Sequence, residues 1–211
     1  AEEQRARLAK TPGSFLGSSR KKLDEDDRER VLELIRDEGG SALVGIGGNG
    51  TMAALQLLSK GATSRDLSLQ VIGVPKTVDN DLPITDNCPG FGSVAKYIAV
   101  STREASFDVA SMCATSTKIF VLEVMGRHAG WIAAAGGMAA TEDCDLPIVI
   151  LFPEVKFSQG KFLSLVKEKV AEYGYCSIVV SEGVQDRSGN FLADQGLKDA
   201  FGHAQLGGVA P

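Results

Sequence analysis

Five short apolar runs alternate along this chain with longer stretches of helical periodicity, and that alternation limits the possible folds more than any other feature. The runs at 42–46, 69–74, 118–124, 147–152 and 176–181 have the length and aliphatic content of buried strands. Helical patterns occupy 24–38, the stretch after Thr51 through Lys60, 91–112, 128–140 and 159–173. Strands separated by helices call for a parallel sheet with right-handed crossovers, so the expected class is α/β, Rossmann-like. In such sheets ligands bind beyond the carboxyl ends of the strands. Four glycine- or acid-rich segments, 47–51, 75–81, 125–130 and 181–183, follow strands there and are expected to form one site.

Composition narrows the function. The 211 residues are enough to bury a core without disulfide or metal, since about 70% of the unfolded surface is lost at this size. A net charge of −5 and a pI near 5.1 argue against a general polyanion binder, so no nucleic-acid partner is expected. Glycine is abundant, at 24 residues against a usual share of about 7%, as suits an α/β protein rich in tight loops. No apolar run approaches the roughly 20 residues of a membrane helix, and the charged start Ala1-Glu2-Glu3-Gln4-Arg5 is no secretory signal; a cytoplasmic protein without a membrane partner is expected. Cys88, Cys113, Cys144 and Cys176 form no C-x-x-C pair, and with two histidines they read as buried reduced thiols rather than a zinc site.

Locally, Thr11 to Arg20 reads as a loop. Asp24-Glu25-Asp26-Asp27 then opens a helix with charge that favours its positive end. Val31, Leu34 and Ile35 supply its apolar stripe, and Gly39-Gly40 stops it. After Gly183 the periodicity fades toward Pro211, and the chain does not open with a strand and glycine loop; a piece cut at both ends is expected.

Each of the four segments has a chemical reading. Gly47-Gly48-Asn49-Gly50-Thr51 joins a strand to a helix, where close backbone approach and free N–H groups cradle an anion. It lacks the Gly-Lys-Ser/Thr ending of a Walker loop, and an ordinary tight turn remains open as a reading. Asp79 and Asp81 stand two apart, suited to dividing metal binding from proton abstraction, and Lys76 adds a cation to the same loop, which turn chemistry does not require. Arg127, in Met125-Gly126-Arg127-His128-Ala129-Gly130-Trp131, is suited to equatorial phosphoryl oxygens. His128 is expected at a helix start in a hydrogen-bonding structural role, and Trp131 in the core. Glu182, leaving an apolar run, reads as a partner for sugar hydroxyls or as a cap or surface ion pair.

Together the segments resemble the phosphofructokinase family. The family's G-G-D-G-S/T loop appears as Gly47 to Thr51, its P-G/K-T-I/V-D-N-D loop as Pro75-Lys76-Thr77-Val78-Asp79-Asn80-Asp81, and its M-G-R-x-A/C-G motif as Met125 to Gly130. The stretch from Pro89-Gly90-Phe91-Gly92 through Ala110, and Asp199 to His203 with Leu206-Gly207-Gly208, resemble the pyrophosphate-dependent branch. The resemblance implies a fold of two α/β lobes: 1–90 a partial donor lobe and 91–211 a fructose 6-phosphate lobe incomplete at its end, with the opening donor loop and the final substrate motif lying outside the chain.

It also implies roles. Asp79 would be the general base on the 1-hydroxyl of fructose 6-phosphate, Thr77 a substrate contact, and Asp81 a ligand of Mg²⁺. Met125, Gly126 and Arg127 would bind the sugar phosphate and the moving phosphoryl group, and Glu182 the sugar hydroxyls. Lys118 falls where the family reaches a neighbouring subunit's substrate phosphate, which implies a homodimer or homotetramer. Gly48, Asn49, Gly50, Thr51 and Lys76 would face the donor phosphate. The resemblance sets Lys76, common in pyrophosphate users, against Gly50, typical of ATP users; the flanking likeness to the pyrophosphate-dependent branch makes pyrophosphate the expected donor and ATP the alternative. Asn49 replaces the family's metal-associated aspartate, and an amide is a poorer Mg²⁺ partner than a carboxylate. NAD and lipid kinases share a G-G-D-G-T loop but not the other two motifs. A catalytically inactive folding or assembly module is the competing class.

Overall fold

The computed structural model describes residues 2–11, 17, 21–198 and 204–209. Asp199 to His203, and most of the Thr11–Arg20 loop, lie outside the described residues. A short helix α1 (Glu2–Leu8), which periodicity did not signal, comes first.

Helix α2 (Glu25–Asp37) begins where its charges predict. Asp24 caps it, its side chain accepting from the Asp27 amide at 2.8 Å while Asp27 accepts in return from the Asp24 amide, so two orphan donors are satisfied at once. Its buried residue is Leu32, 1% exposed, whereas Leu34 of the expected stripe is 58% exposed. The helix packs through Leu32 on Leu58 and Ala62 of α3 (Asn49–Ser64), and Gly61 lets Arg28 and Leu32 come close.

Strands β1 (Ala42–Gly47) and β2 (Gln70–Pro75) pair in parallel, with Gly45 opposite Gly73. A Cβ on either would collide with Leu55 or Met52 of α3, so these two glycines let the helix lie close on the sheet. The other face, with Val44, Ile46, Ile72 and Val74, is exposed; Ile46 is 72% exposed. The run at 42–46 is therefore covered on one face rather than buried on both.

Helix α4 (Phe91–Met112) leads to β3 (Ile119–Val124). After it come a single-turn helix α5 (Trp131–Ala135) with a 3-10 turn at Gly136–Ala139, β4 (Ile148–Leu151), α6 (Gln159–Tyr173) and β5 (Cys176–Ser181). The three strands form a second parallel sheet in the order β3-β5-β4, so the last strand inserts between the earlier two and is buried along its whole length. Val179 faces Ile98 of α4 and Ile132 of α5, while Cys176 and Ile178 face Val166 of α6. The helix expected from His128 starts only at Trp131, whose side chain is 55% exposed; its neighbours Ile132 and Ala133 are the core residues. The weakly periodic region after Gly183 holds an antiparallel pair, β6 (Asp194–Lys198) and β7 (Ala204–Leu206). All four cysteines are free; Cys88 and Cys176 are buried, Cys113 and Cys144 only partly. Among the described residues no helix is long and apolar enough to cross a membrane.

Candidate active site

The carboxyl ends of four strands carry the four segments. Parallel pairing aligns Gly47 with Pro75, and the Lys76 amide donates to the Gly47 carbonyl at 2.9 Å, so the glycine loop and the Lys76-to-Asp81 loop leave one sheet edge side by side. In the other sheet Val124 aligns with Ser181, and the Glu182 amide donates to the Val124 carbonyl at 2.9 Å. That bond brings the loops carrying Arg127 and Glu182 out together.

Val78 joins the two groups. It packs with Phe91 against the Ile98–Val124–Ile132 core of the second sheet, although it belongs to a loop that leaves the first. Next to it, Asn80 is buried at a left-handed φ of 57°, a conformation asparagine tolerates better than most residues. Its side-chain amide donates to the Asp86 carbonyl at 3.1 Å, and its Oδ1 accepts from the Cys88 amide at 2.8 Å. The loop from 80 to 88 is thus tied back to its first residue, Asn80, which has Asp79 and Asp81 on either side.

A cavity of about 250 Å³ results, lined by Gly47, Gly48, Asn49, Lys76, Thr77, Asp79, Asp81 and Met125 among others. Asp79 is half-buried. Its amide donates to Thr77 Oγ1 at 3.2 Å, while its Oδ1 is buried without a hydrogen-bond partner. Burial, then the negative charges of Asp81 and Glu182, hold its carboxyl above the usual carboxylate range; Arg127 and His128 oppose them. Arg127 Nε is likewise buried and unpartnered. A carboxylate oxygen and a guanidinium nitrogen left unpaired in one region are costly unless a ligand completes them.

Not every expected residue meets at this point. Gly50 and Thr51 line a second cavity of about 510 Å³ with Lys21 and Lys22, and Gly48 borders both. Nothing lies within 4 Å of where a Gly50 Cβ would stand. Lys118 precedes β3 at the opposite, amino end of its sheet, where its carbonyl accepts from Cys176, and it does not reach this chain's cavity. His128 is exposed and packs its ring against Phe191 at 6.0 Å between centroids, in place of the expected structural hydrogen bond.

Sequence reasoning passed over two supports. Glu154 accepts from the Gly130 amide at 2.8 Å and fixes the end of the Met125–Gly130 loop. Ser181, fully buried, donates from Oγ to the Gly126 carbonyl and accepts from the Gly183 amide at 3.2 Å. Gly126 has a φ of 129°, and a Cβ there would collide with the Ala129 carbonyl, so no other residue fits without strain.

Fold and site define an α/β protein whose cavity takes Lys76, Asp79 and Asp81 from one sheet edge and Met125 from the other; Gly126, Arg127 and Glu182 do not line it, though the charges of the last two act on Asp79. The chain belongs to the phosphofructokinase family, whose profile matches residues 1–210. It is 56% identical over 211 residues to a pyrophosphate–fructose 6-phosphate 1-phosphotransferase of Methylococcus capsulatus, covering 98% of this chain and 50% of that protein. It is 52% identical to the protein of the same name from Halomonas elongata, covering 100% of this chain and 52% of that one. The crystal structure of a pyrophosphate-dependent phosphofructokinase from Nitrosospira multiformis superposes with a TM-score of 0.82 at 53% identity, covering 90% of this chain and 48% of that one. The chain thus spans about half the length of the relatives it matches.

Proposed function

We propose that the protein carrying this chain transfers a phosphoryl group from pyrophosphate to the 1-hydroxyl of fructose 6-phosphate, reversibly, in the cytoplasm. One observation carries the reading: Asp79 Oδ1 and Arg127 Nε are both buried and unpaired, and Asp79 responds to the charges of Arg127 and Glu182. A substrate offering an alcohol and a phosphate would satisfy both.

Asp79 takes the proton of the attacking hydroxyl, and its raised basicity suits that task. Thr77 holds the Asp79 turn and faces the sugar. Arg127, with Met125 and Gly126, binds the sugar phosphate and balances charge on the phosphoryl group in flight, and Glu182 binds sugar hydroxyls. Lys76, Gly48, Asn49, Gly50 and Thr51 face the donor.

Asp81 and Asn49 supply oxygen ligands on the 250 Å³ cavity, which fits Mg²⁺ held by one carboxylate plus substrate phosphates. When bound, the ion neutralises charge on the transferring phosphate. Residues 1–90 then serve mainly the donor and 91–211 mainly the sugar phosphate. Lys118, turned away from its own cavity, serves a neighbouring subunit of a homodimer or homotetramer.

The open space at Gly50 favours ATP as a second reading, since a nucleotide needs room there. An aldolase-coupled assay on the protein at its natural length, with each donor in turn, decides the matter. Turnover with pyrophosphate and little with ATP supports the reading. The reverse replaces the donor, and failure of both with folded protein defeats the enzyme reading in favour of an inactive module.

A further inference from the structure

Two serines lie on the same face of β5, both fully buried, and they face different partners. Ser177 Oγ meets Ser106 Oγ of α4 at 2.7 Å, a polar pair closed within the core. Ser181, four residues on, stands at the strand's last position opposite Val124, where both chains leave the sheet. Its hydroxyl donates to the Gly126 carbonyl and accepts from the Gly183 amide at 3.2 Å. Gly126 immediately precedes Arg127, and Glu182 lies in the chain between Ser181 and the Gly183 amide that its hydroxyl holds. The two exits are also in backbone contact, for a Cβ on Gly183 would overlap the Arg127 carbonyl.

We propose that Ser181 is a positioning residue for the sugar-phosphate half of the site, its hydroxyl tying the exits of β3 and β5 together and so fixing where Arg127 and Glu182 stand relative to each other. The inference rests on the roles given above to those two residues. Ser177 pairs across the core to a helix and touches neither loop. Ser181 instead bridges two loops whose charged side chains, Arg127 and Glu182, both act on Asp79, and its removal leaves the buried Gly126 carbonyl unpaired and the loop free to shift. The donor loops leave the other sheet, whereas both Ser181 bonds stay at the exits of β3 and β5.

The test compares the parent protein at natural length with Ser181→Ala, Ser181→Thr, Ser177→Ala, Glu182→Gln and the Ser181→Ala/Glu182→Gln pair. Fructose 6-phosphate binding is read by titration calorimetry, and KM for each substrate by the coupled assay. Ser181→Ala is expected to weaken fructose 6-phosphate about tenfold, the equivalent of one hydrogen bond, while KM for pyrophosphate stays within about twofold. Ser181→Thr, which keeps the hydroxyl, restores most of the affinity. Ser177→Ala loses thermal stability without moving either KM. On the Glu182→Gln background, Ser181→Ala costs distinctly less than on the parent, because the two act through one loop. Should Ser181→Ala fold poorly, Ser181→Cys, a weak donor of similar size, carries the same comparison. A folded Ser181→Ala protein that binds fructose 6-phosphate within twofold of the parent overturns the inference, as does an equal rise in both KM values or a matching loss in Ser177→Ala. A parent that binds no fructose 6-phosphate overturns the functional reading itself, a separate result.

Discussion

Replacing Asp79 by asparagine separates chemistry from folding because the two effects have opposite signs. Asn keeps the size of the side chain and its place beside Thr77 but cannot take a proton. Losing a positioned general base typically costs ~10²–10⁴ in rate, or about 3–5 kcal/mol of transition-state stabilisation at 1.36 kcal/mol per decade. Stability moves the other way. Burial and the charges of Asp81 and Glu182 raise the Asp79 carboxyl above its unfolded value, so between those two pKa values the folded state holds more protons than the unfolded chain. Stability therefore falls as pH rises through that window, and near pH 7 the ionised carboxylate is a net cost that Asn removes. Because the group is only half-buried and its charge is screened, the gain is below about 1 kcal/mol. The expected outcome is a kcat/KM loss of at least a hundredfold in the coupled assay, with a Tm equal to or above that of the parent. A variant keeping activity within tenfold, or one whose lower Tm accounts for its inactivity, refutes the reasoning.

Glu182→Gln removes one charge that raises the Asp79 carboxyl, so the acid limb of the kcat/KM profile is expected to move to lower pH; a limb that stays put or rises means the two carboxylates do not communicate. Lys76→Gly is expected to lower kcat/KM for pyrophosphate by about ten- to a hundredfold, the usual worth of a charge-assisted contact, and to improve use of ATP; donor-independent loss would place Lys76 outside donor choice. Leu32→Ala is expected to cost about 2–5 kcal/mol in urea denaturation and Leu34→Ala under about 0.5 kcal/mol, a contrast that checks which residue of α2 faces α3.

The sequence rendered the α/β alternation faithfully because periodicity is a local property. Phe91–Met112, Gln159–Tyr173 and Cys176–Ser181 have the bounds their patterns predict. What it could not give was phase and coverage. Val31, Leu32, Leu34 and Ile35 offer two neighbouring stripes on one helix, and only the position of α3 decides that Leu32 turns inward. The run at 42–46 looks like a strand buried on both faces, yet burial of a β face depends on what lies over it, and only the α3 face is covered. Trp131 was expected in the core from hydrophobicity alone, but the single turn of α5 directs Ile132 and Ala133 to the sheet instead. The site was half-legible for the same reason. Charged and glycine-rich loops at strand ends announce themselves, while Val78, Ser181 and the Asn80 amide resemble ordinary core and turn residues until their partners are known.

Those quiet residues explain how a costly arrangement persists. An unpaired carboxylate oxygen beside two other acids would be relieved by a small outward turn of its loop, which would hydrate it. Val78 opposes that turn by lodging in the second sheet's core, and Asn80 opposes it by closing the loop on the backbone of Asp86 and Cys88. The same strain suits the proposed reaction. Arg127 is the foremost charge holding Asp79 toward its ionised form, so a phosphate dianion that occupies Arg127 weakens that restraint and leaves Asp79 a stronger base. On this reasoning the sugar phosphate activates its own general base on arrival, and the acid limb for kcat, measured with substrate bound, lies at higher pH than the limb for kcat/KM.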